Sequence, residues 1–263
     1  MLTLKRGIGL WIETGETNRL RYGSLNRLTL GARPITLWVT LAGGFDKGSG
    51  FVVNVCDIDN AVEEDLDKRP VSINDVGELF GWFGRLAQDR FPQQTILELS
   101  AELDDTLCVR ENCEDKAMLE VTRKYELAAA HRLINPEWDE ARNKAVFGKC
   151  NNTEGHGHNY TVDVSFTGPR DPQTGEIMNL DAMDATVKEV ILDRFDHKNL
   201  NKETKEFARL NPTVENMAKV FWDLLVDEFE PVQLTRIGVW ETPRTYAEYS
   251  GLIDVPLQHS DHV

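Results

Sequence analysis

Residues 161–187 read TVDVSFTGPRDPQTGEIMNLDAMDATV, and residues 36–62 read TLWVTLAGGFDKGSGFVVNVCDIDNAV. At a fixed offset of 125, the two stretches share six identities without a gap from residue 43 onward. These are Gly43, Asp46, Gly50, Asn54, Asp59 and Val62, which fall on Gly168, Asp171, Gly175, Asn179, Asp184 and Val187. Each stretch predicts a strand, a Gly/Asp turn, a short strand and then a helix. Gly and Asp recur in many hairpins, but six aligned identities favour an internal repeat.

A second block of similarity follows each stretch, now at an offset of 139. Pro92 falls on Pro231, and a strand ending in Glu102 falls on one ending in Glu241. We therefore predict two tandem domains, residues 1–112 and 113–263, joined within the charged interval 107–118. Each would be an α+β domain of order ββααββ, an antiparallel sheet with helices on one face. In the second domain we predict strands at 119–133, 158–168, 233–242 and from 245, and helices at 181–195 and 213–229.

Composition restricts the class of protein. The formal net charge of −15 argues against nucleic acid as a partner, because phosphate backbones require a basic surface. No apolar run is long enough to span a membrane. The four scattered cysteines and the absence of a signal-peptide pattern predict a cytoplasmic protein. A local group of basic residues still leaves room for a small phosphorylated substrate: Arg132, Arg142, Lys144 and Lys149.

A metal site is predicted around the segment CNNTEGHGHNY at 150–160. Residues i and i+2 of a strand point to the same side, so His156 and His158 can chelate one ion. His131 ends a strand that would pair with theirs, and we expect it to be the third ligand. Three neutral imidazoles leave zinc an open position, which is typical of a catalytic site. His-x-His on an exposed strand can also be incidental.

Cys150 and the pair Asp196 and His197 each allow more than one interpretation. Cys150 is a candidate fourth zinc ligand, a small core residue or a catalytic thiolate, and spacing does not separate these roles. Asp196 and His197 are adjacent, which suits an aspartate-oriented general acid–base pair. A histidine at a helix C-terminus is an alternative explanation, since it interacts favourably with the helix dipole.

The first domain lacks the predicted ligands. Gly31, Ala32 and Arg33 stand opposite residues 156–158, and Leu25 stands opposite Cys150. The change of offset also means that this domain lacks the 14 residues that include FDHKNLN at 195–201. We therefore expect chemistry only in the second domain.

Several motifs of the second domain occur together in the order of one known family. They are AAAH, FGKCNNTEGHGHNY, GPRDPQTGEIMNL, FDHKNLN, PTVEN and WET, within residues 119–251. In these motifs the chain resembles the 6-pyruvoyltetrahydropterin synthase family, which includes 6-carboxytetrahydropterin synthase and has the tunnelling fold. The first domain resembles a degenerate copy of that fold.

The resemblance implies roles for specific residues. Zn²⁺ would be bound by His131, His156 and His158. Cys150, Asp196 and His197 would transfer protons, with Cys150 as the base. Glu241 would anchor the pterin ring through two parallel N–H bonds. Thr213 and Glu215 would flank the pocket.

The resemblance also implies a reaction and an assembly. The substrate would be 7,8-dihydroneopterin triphosphate, and the expected products are 6-pyruvoyltetrahydropterin and triphosphate. The five residues between Cys150 and His156 favour this product over the alternative, a 6-carboxy product released with acetaldehyde in the queuosine pathway. A protein that binds zinc or pterin without catalysis is a further alternative. Family members form homo-oligomers in which neighbouring sheets join into a barrel, and the first domain would contribute to such a barrel.

Overall fold

The computed structural model describes residues 2–14, 18–23, 32–69, 71–111, 115 and 117–251. The chain forms two compact units, and each is built from helices and mainly antiparallel strands; the short strand β8 (Lys198–Asn199) pairs parallel with β6 (Met118–His131). Unit 1 comprises residues 1–124, 165–183 and 231–233; unit 2 comprises 125–164, 184–230 and 234–263. The predicted domain border at 112/113 and the compared positions Leu25 and Gly31 lie outside the described residues. That border stays a prediction.

Unit 1 contains a sheet with strand order β2-β1-β3-β4-β5-β6 and two helices. Alternate residues of β3, from Ile35 to Leu41, are at most 4% exposed, and the helices bury Ile58, Phe80 and Phe83. The period of two in the strand therefore supplies one apolar face for the helices to cover. The elements are β1 Leu2–Glu13, β2 Arg19–Tyr22, β3 Ala32–Gly43, α1 Val55–Lys68, α2 Val76–Arg90, β4 Thr95–Glu102, β5 Leu107–Glu111 and the first half of β6 Met118–His131.

Unit 2 contains the strand order β6-β7-β9-β10. Its core includes Phe195 and Phe221, whose ring centroids lie 5.0 Å apart. The elements after β6 along the chain are α3 Glu140–Phe147, β7 His156–Pro169, α4 Leu180–Val187, α5 Asp193–Phe195, β8 Lys198–Asn199, α6 Leu200–Glu203, α7 Val214–Leu225, β9 Gln233–Thr242 and β10 Thr245–Tyr249. A π-helical turn, Lys188–Leu192, links α4 to α5.

The predicted strands and helices of the second half are confirmed, with shorter helices than expected. The strand at 233–242 is β9, the helix at 213–229 is reduced to α7, and the helix at 181–195 is interrupted by the π turn. Helix α3 was not predicted. Among the described residues no helix is both long and apolar enough to cross a membrane.

The short strand predicted after each Gly/Asp turn is wrong, because an asparagine instead begins a helix there. The Asn54 side chain accepts a hydrogen bond from the Cys56 N–H before α1. The Asn179 side chain accepts one from the Ala182 N–H in the first turn of α4. A capping side chain satisfies N–H groups that a helix start leaves unpaired.

The two turns have the same hydrogen bonds. Asp46 accepts from the N–H of Gly50 and donates its own N–H to the Phe51 oxygen, at 2.7 and 2.9 Å. At the offset of 125, Asp171 makes the same two bonds with Gly175 and Glu176, both at 2.8 Å. Both glycines have positive φ, 76° and 79°, where a side chain would be strained. The aligned glycines therefore serve the same backbone conformation.

The second block of similarity needs a different register from the one that we predicted. The buried run of β4 is Leu99–Ala101 and that of β9 is Ile237–Val239, which gives an offset of 138. The first residues of α2 and α7, Val76 and Val214, have the same offset. At this offset, the exposed Glu102 falls on Trp240 and Leu103 falls on Glu241. The predicted offset of 139 matches two glutamates but not the buried residues of the two strands. A shift of one residue exchanges the two faces of a strand, so the buried residues decide the register.

Candidate metal and pterin site

Three histidines converge where two neighbouring strands of unit 2 meet. His131 is the last residue of β6, and His156 and His158 begin β7. Their potential ligand atoms lie within 4.8 Å of one another, and the Nε2 atoms of His131 and His156 are 3.0 Å apart. The ligand atoms of a tetrahedral zinc ion are roughly 3.3 Å apart, given Zn–N bonds of about 2.0–2.1 Å. The sequence-predicted ligands are thus brought together at a spacing that suits one metal ion.

Contacts of the His131 ring determine which nitrogen is available. Its Nδ1 lies 2.8 Å from the backbone oxygen of Pro212, an atom that can only accept. Nδ1 therefore carries the proton, and Nε2 of the neutral ring has a free lone pair. The His131 side chain is 1% exposed, and burial lowers its pKa, so the ring is held neutral. This is the form that binds metal.

The His158 ring supports the same interpretation. Among the described residues, the buried His158 Nε2 has no hydrogen-bonding partner. Burial also lowers the pKa of His156, whose Nε2 faces His131. Buried polar atoms normally have a partner, and a cation bound between the rings would provide one for His158 Nε2. The donor set therefore fits a metal ion with imidazole ligands.

Glu241, near the end of β9, lies beside the histidines. Its Oε1 is 3.4 Å from His158 Nε2 and 3.5 Å from His131 Nε2, and its side chain is 19% exposed. We did not expect this contact from sequence, because nothing in the spacing relates residue 241 to residue 131. The carboxylate can face both a metal and a ligand that enters from solvent.

Cys150 lies in a 3-10 turn, Gly148–Asn151, that is fixed to the chain just after His131. The Leu133 N–H donates to the Cys150 oxygen at 2.8 Å, and the Asn151 side chain donates to the Leu133 oxygen at 2.7 Å. Cys150 is not part of the group of ligand atoms formed by the three histidines. Burial, and secondly the Glu241 carboxylate, raise the pKa of the thiol. Both effects favour the thiol of Cys150 over the thiolate.

Asp196 and His197 form a hydrogen-bonded pair. Asp196 Oδ2 lies 2.8 Å from His197 Nδ1, while Oδ1 accepts from the Ala128 N–H at 2.8 Å. Burial acts to raise the pKa of Asp196, but these hydrogen bonds outweigh it and hold the pKa below its usual value. The His197 side chain is 83% exposed and its φ is +56°. The aspartate thus orients an imidazole that projects into solvent. Asp196 itself is bound to β6 at Ala128, three residues before His131.

Thr213 and Glu215 lie at the start of α7. The Thr213 hydroxyl accepts a hydrogen bond from the Asn216 N–H and so caps the helix, and Glu215 is an exposed residue of its first turn. Thr213 directly follows Pro212, whose oxygen bonds His131. The cap thus lies next to a contact of the candidate metal site, a relationship that the sequence did not reveal.

Comparisons with known proteins identify the second half of the chain. A family model, 6-pyruvoyl tetrahydropterin synthase, matches residues 120–252. The 6-pyruvoyl tetrahydrobiopterin synthase of Drosophila melanogaster is 41% identical over 132 residues, which are 50% of this chain and 79% of that protein. The human protein of that name is 38% identical over 136 residues, 52% of this chain and 94% of its own length.

The same half matches a solved structure, that of Caenorhabditis elegans 6-pyruvoyl tetrahydropterin synthase. The two are 34% identical, with a TM-score of 0.48, over 51% of this chain and 96% of that one. The resemblance carried by the sequence motifs is therefore confirmed by the family model and by the relatives. The chain belongs to the 6-pyruvoyl tetrahydropterin synthase family, a family of lyases.

Proposed function

We propose that this protein converts 7,8-dihydroneopterin triphosphate to 6-pyruvoyltetrahydropterin with elimination of triphosphate, and that it requires zinc. The observation that carries the proposal is the convergence of three histidines with Glu241 inside the region matched by the family model. The relatives at about 40% identity carry the name of this activity.

His131, His156 and His158 would hold the zinc ion. With three imidazole ligands, a zinc ion would keep a coordination position for the substrate, and the Pro212 oxygen favours the tautomer of His131 whose Nε2 can bind metal. Zinc bound there supplies Lewis-acid stabilisation of negative charge that develops on the side-chain oxygens of the substrate.

Glu241 would bind the pterin ring. Its carboxylate is fixed beside the histidines but partly exposed, so it can accept two N–H bonds from the flat edge of the ring. Binding of the ring in this way would direct the side chain of the substrate toward the metal. Thr213 would shape the wall of the pocket through the start of α7, with Glu215 at its rim.

Cys150, Asp196 and His197 would move the protons. Cys150 would remove a carbon-bound proton from the substrate. Its raised pKa means that it acts as a base only when positive charge near the site offsets burial and the Glu241 carboxylate. The lowered pKa of Asp196 keeps that residue ionised, so it can stabilise a protonated His197 that returns a proton to another atom.

The triphosphate would meet the basic residues that follow β6. Arg142, Lys144 and Lys149 are all exposed, and the Arg142 guanidinium stacks over the Trp138 ring at 4.2 Å from its centroid. Exposed cationic side chains can pair with phosphate oxygens directly, because no buried ion pair has to be broken first.

We further propose that the chain contains two tandem copies of the tunnelling fold and assembles as a homo-oligomer whose sheets join into a barrel. The identical hydrogen bonds of the Asp46 and Asp171 turns support the repeat. The first copy would support the assembly without catalysing the reaction, because it has no counterparts of the histidines.

The test is to incubate the zinc-loaded protein with 7,8-dihydroneopterin triphosphate and to follow products by mass spectrometry. The expected result is triphosphate release with a pyruvoyl pterin and without acetaldehyde. Acetaldehyde together with a 6-carboxy product would show the other reaction of the family. A protein that binds the pterin but releases no triphosphate in a single turnover would end the enzyme proposal.

A further inference from the structure

Unit 1 contains a cavity of about 270 Å³ that the proposed reaction does not use. All of its lining residues belong to unit 1, whereas the three histidines of the metal site belong to unit 2. Pockets for drug-sized ligands measure roughly 300–1,000 Å³, so this cavity suits a more compact molecule. Its apolar lining consists of Leu103, Leu107, Val109, Leu119, Val121 and Ile177.

Arg33 places a positive charge at this cavity. It lies near the start of β3, on the side of the strand that also carries the buried Ile35 and Leu37. Arg33 is exposed, and among the described residues its guanidinium has no ion pair or hydrogen bond. A free guanidinium beside an apolar cavity can bind a carboxylate through two parallel N–H bonds.

Glu176 places a negative charge at the same cavity. It is also exposed, and its carboxylate has no partner in the part of the chain that the structure describes. No ion pair joins it to Arg33, although both residues line the cavity. A ligand that carries a carboxylate and an ammonium group would therefore give each of these side chains a partner.

Asp75, the third charged residue of the lining, is already neutralised. It caps α2 by accepting a hydrogen bond from the Glu78 N–H, and the Arg170 guanidinium pairs with it at 3.2 Å. Gly175 approaches so closely that a Cβ atom there would lie 2.5 Å from the Asp75 Cβ. Close packing thus fixes the segment that carries Glu176, and Arg33 and Glu176 are the two charges left for a ligand.

The groups proposed to bind metal and pterin in unit 2 have no counterparts at this cavity. At the offset of 138, Leu103 falls on Glu241, and at the offset of 125, Arg33 falls on His158. The described residues of unit 1 include no histidine. A leucine cannot accept the N–H bonds of a pterin ring. The lining therefore favours a ligand of another class.

We propose that this cavity binds a free α-amino acid with an apolar side chain. Arg33 binds its carboxylate, Glu176 binds its ammonium group, and the apolar lining encloses its side chain. Hydrogen bonds between charged partners are the stronger kind, and removal of the apolar side chain from water adds to the affinity. The site uses residues of unit 1 alone, so it does not rest on the proposed function.

Calorimetric titration of the full-length protein tests the class of ligand. The probes are L-phenylalanine and L-leucine, together with 3-phenylpropionate, which lacks the ammonium group, and 2-phenylethylamine, which lacks the carboxylate. Both amino acids should bind, and each analogue should bind more weakly than phenylalanine by about tenfold or more, because one charged contact is lost. Equal binding of either analogue, or no binding of the amino acids at about 10 mM, would overturn the proposal.

Two variants test the charged contacts separately. Arg33→Gln and Glu176→Gln should each weaken binding of phenylalanine by about tenfold or more. Arg33→Gln should also abolish the preference for phenylalanine over 2-phenylethylamine, and Glu176→Gln the preference over 3-phenylpropionate. Arg19→Gln and Glu63→Gln, at exposed positions outside the cavity, should bind like the wild type. Unchanged affinity in either cavity variant would overturn the proposal.

Methyl NMR of the full-length protein locates the bound amino acid. On titration with phenylalanine, the methyl signals of Leu107 and Val121 should shift, whereas those of the buried Leu225 and Val239 of unit 2 should not. His156→Ala should bind phenylalanine like the wild type, because this site needs no metal ligand. Loss of binding in His156→Ala, or shifts confined to unit 2, would overturn the site. A protein that fails to turn over the pterin would leave all of these measurements unaffected.

Discussion

The Nδ1 atom of His131 lies 2.8 Å from the backbone oxygen of Pro212, the residue before the cap of α7. This contact joins the end of a strand to the start of a helix that lies 81 residues later. It also leaves Nε2 of His131 facing His156 at 3.0 Å. Two lone pairs at that distance repel unless a proton or a metal ion lies between them, so this arrangement favours an ion or a proton shared by the two rings.

The first prediction concerns metal content. Purified protein should contain about one zinc ion per chain, because three imidazoles form one site. His156→Ala should lose the metal and the activity together, whereas Asn159→Ala, an exposed neighbour on β7, should keep both. Elemental analysis measures this. Two ions per chain would show that the first half also binds metal.

The second prediction concerns pH. Because burial lowers the pKa of His131 in the folded chain, the unfolded chain binds its proton more readily. The stability that the neutral ring provides is therefore present above about pH 6.5 and is lost as the pH falls through the lowered folded pKa. The Tm of metal-free protein should fall between pH 7.5 and pH 5. In His131→Asn the fall should be smaller, and an equal fall in both would contradict this cause.

The third prediction concerns Cys150. Cys150→Ala should reduce kcat by on the order of 10²–10⁴ while zinc remains bound, since a base acts on the barrier and not on the metal. Cys108→Ala serves as the control, because Cys108 is a free, half-buried cysteine of β5. Loss of zinc from Cys150→Ala would instead make Cys150 a ligand.

The fourth prediction separates two roles of Glu241. Glu241→Gln should retain zinc but weaken binding of the pterin by about 1.5–3 kcal/mol, the usual value of a hydrogen bond to a charged group. Calorimetry with a pterin and metal analysis of the same sample give both quantities. If zinc is lost first, Glu241 is a metal ligand and the pterin must be anchored elsewhere.

The fifth prediction concerns the cap of α7. Thr213→Ala should lower the free energy of unfolding by about 1 kcal/mol, because the Asn216 N–H loses its acceptor. It should also weaken zinc binding, since the Pro212 oxygen is then held less firmly against His131. Thr213→Ser keeps the hydroxyl and should restore both properties. Destabilisation with unchanged zinc affinity would show that the cap and the metal site are independent.

The sequence by itself indicated the three histidines and the two similar turns. Residues two apart on a strand lie on the same side, so His156 and His158 point the same way whatever surrounds them. A neighbouring strand that ends in His131 can bring that residue close to both. The Asp and Gly positions of the two turns were likewise fixed by local backbone geometry, since only a local loop is needed to satisfy their hydrogen bonds. Family motifs then related these residues to one chemistry.

Only the tertiary structure decided the relationships that depend on distant parts of the chain. The one-residue error between Glu102 and Glu241 arose because identity does not reveal which face of a strand is buried. The approach of Glu241 to the histidines, the Pro212 contact and the raised pKa of Cys150 each require elements far apart in sequence to pack together. Burial and hydrogen bonding depend on residues that only folding brings close. The residue types therefore indicated the chemistry, whereas packing determined the protonation states and the distances between the groups.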